Sequence, residues 1–89
     1  MNYIQTARSL LSQKIKVEAD LLDLYTLLVF ATGADTDLAH VHDAWAIWRN
    51  RTDPTHESLL PFSRLSRPTQ ELDRKYVEAI RETAREIDA

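Results

Sequence analysis

The hydrophobic positions at the start of the chain recur every three or four residues. They are Ile4, Ala7, Leu11 and Ile15. This spacing predicts a first amphipathic helix over 2–14. Asn2, followed three residues later by Gln5, has the pattern of a capping box, which places the helix N-terminus at Asn2.

A second helix is predicted from near Glu18 to Thr32, and its apolar positions are unusually dense. They are Leu21, Leu22, Leu24, Tyr25, Leu27, Leu28, Val29 and Phe30. A helix that is apolar on nearly every side is typical of the centre of a core. Gly33, the single glycine, is expected to end it in the left-handed conformation of a helix C-terminus.

A third helix is predicted over 38–50, because Asp35, Thr36 and Asp37 offer alternative N-caps. At about 100 degrees per residue, one side of this helix is apolar and aromatic. That face consists of Leu38, Val41, Trp45 and Trp48, with His42 and Arg49 along its flank. Ile47 points the other way, among polar residues, and so marks a candidate contact surface.

The segment 54–68 has no sustained period, yet it holds all three prolines and several large apolar residues. This composition predicts an ordered connector laid over the helices, with one helical turn expected near 55–58. A last helix is then predicted from Ser66 or Arg67, with Pro68 in its first turn. Its expected buried stripe is Leu72, Tyr76, Ile80, Ala84 and Ile87. The prediction is an all-α, four-helix domain spanning 1–89, with one long proline-containing loop between the third and fourth helices.

Composition narrows the functions that this domain can have. The 89 residues contain no cysteine, so a disulfide framework and a thiolate metal site are both excluded. The net charge is −3 and the basic residues are dispersed, which argues against nucleic-acid binding. One glycine is too few for a glycine-rich phosphate loop. Without a signal peptide or a long apolar run, we expect a cytoplasmic protein that does not enter membranes.

The candidate chemistry lies in His42, Trp45 and His56, with Asp73 as an acid within reach of the loop. Each has a structural alternative. Trp45 is either a core residue or a stacking wall for a ligand, and His42 donates either to a ligand or to the backbone of 59–62. Asp73 either binds a ligand or tethers the loop. The histidine spacing does not match a helical zinc site, and no nucleophile has an adjacent base, so neither a metal, a cofactor nor an enzyme is expected.

The region from His42 to Ile80 resembles the ryanodine-receptor repeat domain. The resemblance rests on His42-Asp43-Ala44-Trp45, on His56-Glu57-Ser58-Leu59-Leu60-Pro61-Phe62-Ser63-Arg64-Leu65, and on Asp73 with Tyr76. The motif block covers about 38–80. Two features depart from the family pattern: Glu57 stands where a proline is usual, and the segment between the two blocks is short. The chain is similar in this respect to small uncharacterised proteins of actinobacteria and their phages.

The resemblance implies a pocket between the third helix, the loop and the last helix that holds a small, nucleotide-like ligand. The residues expected to bind it are His42, Trp45, Arg49, His56, Pro61, Phe62, Asp73 and Tyr76. The first functional hypothesis is therefore a non-enzymatic small-ligand-binding domain. The alternative hypothesis is a protein-interaction or homodimerisation module with a purely structural loop, in which Ile47 and the apolar second helix form the contact surface.

Overall fold

The computed structural model describes residues 1–88, and all its regular structure is helical. Its helices are α1 (Tyr3–Ser12), α2 (Ala19–Ala31), α3 (Leu38–Asn50), the short α4 (Arg67–Glu71) and α5 (Arg74–Asp88). Two 3-10 turns, Gly33–Asp35 and Phe62–Arg64, lie in the connections. No strand occurs within the described residues, and the predicted all-α fold of four main helices is confirmed.

The helix ends follow the capping signals in the sequence. Asn2 caps α1 by accepting the backbone N–H of Gln5 at 2.8 Å, and the Gln5 side chain accepts the Asn2 N–H in return. Asp37 is the N-cap of α3 among the three candidates, and its side chain accepts from the His40 N–H at 3.0 Å. Gly33 follows the end of α2 with a φ of 54°, a conformation that glycine adopts without strain.

The core is built around α2, which packs against α1, α3 and α5. The largest completely buried side chains are Tyr25, Leu11, Ile80, Val41 and Val77. The expectation that α2 is apolar on nearly every side because all sides are buried is only partly correct. Leu27 is 59% exposed and Phe30 also reaches the surface, so α2 has an apolar face directed to solvent.

The last predicted helix begins at the expected place but is interrupted. Ser66 caps α4, with Pro68 near its start, and the helix stops before Leu72 and Asp73. The helix resumes as α5, where the Asp73 carbonyl accepts the N–H groups of Tyr76 and Val77 at 3.0 and 3.1 Å. A continuous helix would keep Leu72 on the face of Ile80. The break removes that alignment.

Three residues expected in buried stripes are at the surface, and the break accounts for the first of them. Leu72 is 70% exposed, and Ile4 and Ile87 are exposed near the two chain ends. Val77, which was not expected in the stripe of the last helix, is completely buried.

The connector (residues 51–66) is ordered by its own turns and by hydrogen bonds to helices. Its helical turn lies at Phe62–Arg64, rather than at 55–58 as expected. The Gln70 side chain of α4 donates to the carbonyl of Phe62 at 2.9 Å and fixes the far end of the connector. Within residues 1–88, no helix combines the length and the apolar character needed to cross a membrane.

Candidate functional site

A pocket of about 250 Å³ opens between α3, the connector and the corner where α4 meets α5. This is the location expected from the sequence. Helix α3 contributes one wall, the first half of the connector a second, and the α4–α5 corner a third. The lining residues are His42, Trp45, His56, Ser58, Thr69, Leu72 and Asp73.

His42 forms the floor of the pocket and holds the connector in place. Its side chain is only 4% exposed, and its Nε2 lies 2.7 Å from the carbonyl oxygen of Leu60. Because a carbonyl oxygen can only accept, Nε2 carries the proton and donates. The ring also lies near that of Phe62, with 6.2 Å between centroids. Of the two roles considered for His42, the structure shows the hydrogen bond to the backbone of 59–62, which anchors the loop.

Trp45 and His56 form the aromatic wall. The Trp45 ring stacks on His42 with centroids 5.7 Å apart and meets the ring of His56 edge-on at 5.2 Å. Nδ1 of His56 accepts the backbone N–H of Ser58 at 3.0 Å. This bond requires an unprotonated Nδ1, so Nε2–H is the donor of the neutral ring and remains for another partner. Trp45 is partly buried and packs against the core while still facing the pocket. The core role considered for Trp45 is thus partly filled, and its role as a stacking wall for a ligand stays a prediction.

Asp73 supplies the acidic group of the pocket. Its partial burial raises the pKa of the carboxyl above the ordinary value, and the nearby His42 and Lys75 oppose that rise. On its core side lies Tyr25, whose hydroxyl is buried and has no hydrogen-bond partner among residues 1–88. Burial, together with the charges of Asp73 and Tyr76, raises the pKa of that hydroxyl. The carboxylate of Asp73 thus lies between an apolar core and a solvent-accessible pocket.

The structure brings together four of the eight residues expected at the site: His42, Trp45, His56 and Asp73. Phe62 does not line the pocket, but its ring lies near that of His42. Pro61 lies at the surface and precedes the 3-10 turn. The other two expected residues lie elsewhere. The Arg49 guanidinium lies 4.5 Å from the Trp48 ring centroid, and Tyr76 packs on Tyr25 at 5.4 Å.

Sequence reasoning missed Ser58, Thr69 and Leu72 as lining residues. Ser58 was discoverable, since it lies within the motif that begins at His56. Thr69 and Leu72 enter only because α4 is short and turns into α5 at this point. No metal-binding group of three histidine, aspartate or glutamate side chains occurs in the described part of the chain.

Fold and site define a small helical domain with a polar, aromatic-walled pocket beside its core. The chain belongs to the family described as a domain of unknown function, DUF7701, whose model matches residues 2–85. No curated protein and no solved structure matches the chain.

The match corrects the expected resemblance. DUF7701 is the family found, and no ryanodine-receptor repeat was found, so that assignment is wrong. The motif that suggested it consists largely of residues that this fold uses for packing and loop anchoring, such as His42 on the Leu60 carbonyl. The expected origin in actinobacteria or phages and the expected nucleotide rested on that resemblance and gain no support from DUF7701.

Proposed function

We propose that this chain is a non-enzymatic domain that binds a small ligand in the pocket between α3, the connector and the α4–α5 corner. The observation that carries the proposal is the convergence of a half-buried carboxylate, Asp73, and an aromatic ring, Trp45, on one solvent-accessible pocket. Pockets with apolar walls and a few convergent polar groups are the usual form of small-molecule sites.

The arrangement of the polar groups favours binding over catalysis. Nucleophilic catalysis by a serine requires a base hydrogen-bonded to its hydroxyl. In the pocket, Nδ1 of His56 is occupied by the backbone N–H of Ser58, rather than by its hydroxyl. His42 is likewise committed to the carbonyl of Leu60 through Nε2. Both imidazoles therefore hold the shape of the pocket.

The size of the pocket favours a ligand smaller than a nucleotide. Its volume is about 250 Å³. Sites for drug-sized ligands and cofactors span roughly 300 to 1,000 Å³. A compact molecule with one ring, or with a short alkyl chain and a polar head, matches this volume better than a nucleotide does.

A thermal-shift screen tests the proposal. The library should contain small amines, amino acids, carboxylates, sugars and nucleosides. A ligand that binds only the native state, present at a hundred times its Kd, stabilises the fold by about 2.7 kcal/mol and raises the Tm. His56→Ala should weaken the binding of that ligand, because one wall of the pocket is removed and the Trp45 ring loses its edge-on contact.

The matched control is a pair of tryptophan substitutions on α3. Trp45→Phe shrinks the pocket wall and should weaken binding, whereas Trp48→Phe should leave it unchanged. Trp48 lies outside the pocket and donates its indole N–H to Glu18. A library without a single stabilising compound would contradict the proposal, as would equal effects of the two tryptophan substitutions.

A second candidate function, self-association, is supported by a different surface. An apolar face of α1, α2 and α3 is formed by Ile4, Leu24, Leu27, Leu28, Phe30 and Ile47. Ile47 is 61% exposed and borders the groove that contains Leu24 and Leu28. Because the projecting side chain and the groove lie side by side, two copies related by a twofold axis can each place Ile47 in the groove of the other.

A further inference from the structure

The Asp73 carboxylate is not directly paired with a cation within residues 1–88, although His42 and Lys75 act on it electrostatically. Among residues 1–88, none of the side-chain hydrogen bonds or ion pairs involves it. The adjacent cation, the Lys75 amino group, lies 5.0 Å from the ring centroid of Tyr76 and forms no ion pair with Asp73. Leaving a partly desolvated carboxylate without a partner is unfavourable, and a ligand that supplies positive charge removes that cost.

The pocket wall formed by Trp45 is suited to the same kind of ligand. Trp45 lines the pocket together with Asp73, and an indole face attracts cations more strongly than any other side-chain ring. The stacked ring of His42 and the edge-on ring of His56 hold the indole in a fixed orientation. A rigid aromatic surface loses little entropy when a ligand packs against it.

The hydrogen bonding of His56 also keeps that wall uncharged. Its Nδ1 accepts the N–H of Ser58, so the ring is neutral in this arrangement and does not repel a cation. The hydroxyl of Ser58, which lines the pocket, can accept a hydrogen bond from an O–H or N–H group of the ligand.

We infer that the pocket selects a small organic cation, an alkylammonium group that pairs with the Asp73 carboxylate and packs against the Trp45 ring. This inference rests on the proposed function and specifies its ligand class. The volume of about 250 Å³ leaves room for alkyl substituents on the nitrogen, so an alkylated ammonium fills the pocket better than a bare ammonium ion.

The test is an NMR titration that follows the indole N–H signals of the two tryptophans. The probe is choline, and its matched control is dimethylbutanol, the uncharged analogue in which carbon replaces nitrogen. We expect choline to shift the Trp45 signal and to bind at least about tenfold more tightly than the uncharged analogue, the combined effect of an ionic contact with Asp73 and a cation–π contact with Trp45. The Trp48 signal, outside the pocket, should not move.

Asp73→Asn removes the charge of the side chain while keeping its shape. We expect it to lower the affinity for choline by about tenfold, toward the level of the uncharged analogue. Asp43→Asn is the control, because it changes the net charge equally at an exposed residue that lines a different groove. It should leave the affinity for choline unchanged.

Equal affinities for choline and its uncharged analogue would overturn the cation inference, and that comparison uses the unmodified protein. The proposed binding function would survive this result, since a neutral molecule would still occupy the pocket. An unchanged affinity in Asp73→Asn would also overturn the inference. If no cationic, neutral or anionic probe moved the Trp45 signal, both the inference and the proposed function would fail.

Discussion

At the scale of single residues, the Asp73 carboxylate is held where ionisation is unfavourable. Partial burial raises the pKa of this carboxyl, and His42 and Lys75 only partly oppose that rise. In the native state the group therefore binds its proton more readily than in the unfolded chain. Because proton binding and folding are linked, the contribution of Asp73 to stability is greatest below the ordinary pKa of an aspartate. It is lost as the pH rises through the raised pKa of the native state.

Asp73→Asn should remove this loss of stability with rising pH. Relative to the unmodified protein, the free energy of unfolding of the variant should increase as the pH rises above about 4, the ordinary range of an aspartate pKa. Urea denaturation at a series of pH values from acid to neutral measures the difference. A variant that becomes less stable than the unmodified protein at neutral pH would mean that the ionised carboxylate is stabilised by a contact within the fold.

The buried hydroxyl of Tyr25 is a second unfavourable group next to the pocket. Its side chain is completely buried, and the hydroxyl has no partner among residues 1–88. Tyr25→Phe keeps the ring in the core and removes the unpaired polar atom, so it should stabilise the protein by up to about 1 kcal/mol. Thermal or urea unfolding measures this change.

The matched control for Tyr25 is Tyr76→Phe, on the neighbouring ring 5.4 Å away. Tyr76 is only partly buried, so its substitution should change stability by less than about 0.5 kcal/mol. If Tyr25→Phe instead destabilised the protein by more than about 1 kcal/mol, the hydroxyl would have a partner in solution, of which Asp73 is the first candidate because its charge acts on Tyr25.

At the scale of elements, the decisive contact is the one between α3 and the connector. His42 belongs to a regular helix, whereas Leu60 belongs to an irregular segment, and the hydrogen bond of 2.7 Å between them fixes one wall of the pocket. Segments without regular structure keep a defined shape only when such contacts offset their conformational entropy. The pocket therefore depends on this anchor.

His42→Phe should loosen the connector while keeping an aromatic ring beside Trp45 and Phe62. The carbonyl of Leu60 then loses its donor, at a cost of about 1 kcal/mol. Limited trypsin digestion should cleave the variant faster at Arg51 or Arg64, both of which lie within the connector. His40→Ala is the control, because His40 is on the same helix but caps its N-terminus. Equal digestion rates for both variants would show that the anchor is not what orders the connector.

The sequence predicted most of the helices because their signals are local. Asn2 and Asp37 cap their helices through contacts with residues three positions away, and Gly33 follows the end of α2 with a positive φ. The break before α5 was missed, because Leu72, Tyr76 and Ile80 keep a helical spacing across it and neither Gly nor Pro occurs there.

The site was partly predictable for the same reason. His42 and Trp45 are three residues apart on one helix, so their proximity follows from helical geometry. Arg49 was expected on the same flank, but its guanidinium instead packs on the adjacent Trp48. The contribution of Thr69 depends on where α4 ends against the connector, which no local pattern specifies.

At the scale of the whole molecule, α3 separates two different surfaces. His42 and Trp45 line the pocket, whereas His40, Asp43 and Ile47 line the groove of the apolar face. We therefore expect a substitution on one side of the helix to leave the other side unchanged. The proposed ligand binding and the proposed self-association can then be tested independently in the same protein.

If copies of the chain associate through the apolar face, Ile47→Asp should shift the sedimentation mass toward that of the 10.3 kDa monomer while the protein stays folded. A carboxylate without a partner is strongly disfavoured in an apolar contact. Ser63→Asp, which adds the same charge at an exposed position of the connector, should leave the mass unchanged. An unmodified protein that sediments as a monomer at every concentration would remove self-association from consideration.

The proposed binding of a small ligand is tested most directly by a crystal structure of the protein soaked with a chemically mixed set of small fragments. We expect fragment density bounded by Trp45, His56 and Asp73, with basic fragments bound more often than acidic ones. Density confined to the groove beside Leu27 and Ile47, or crystals in which this pocket stays without fragments at high concentration, would contradict it.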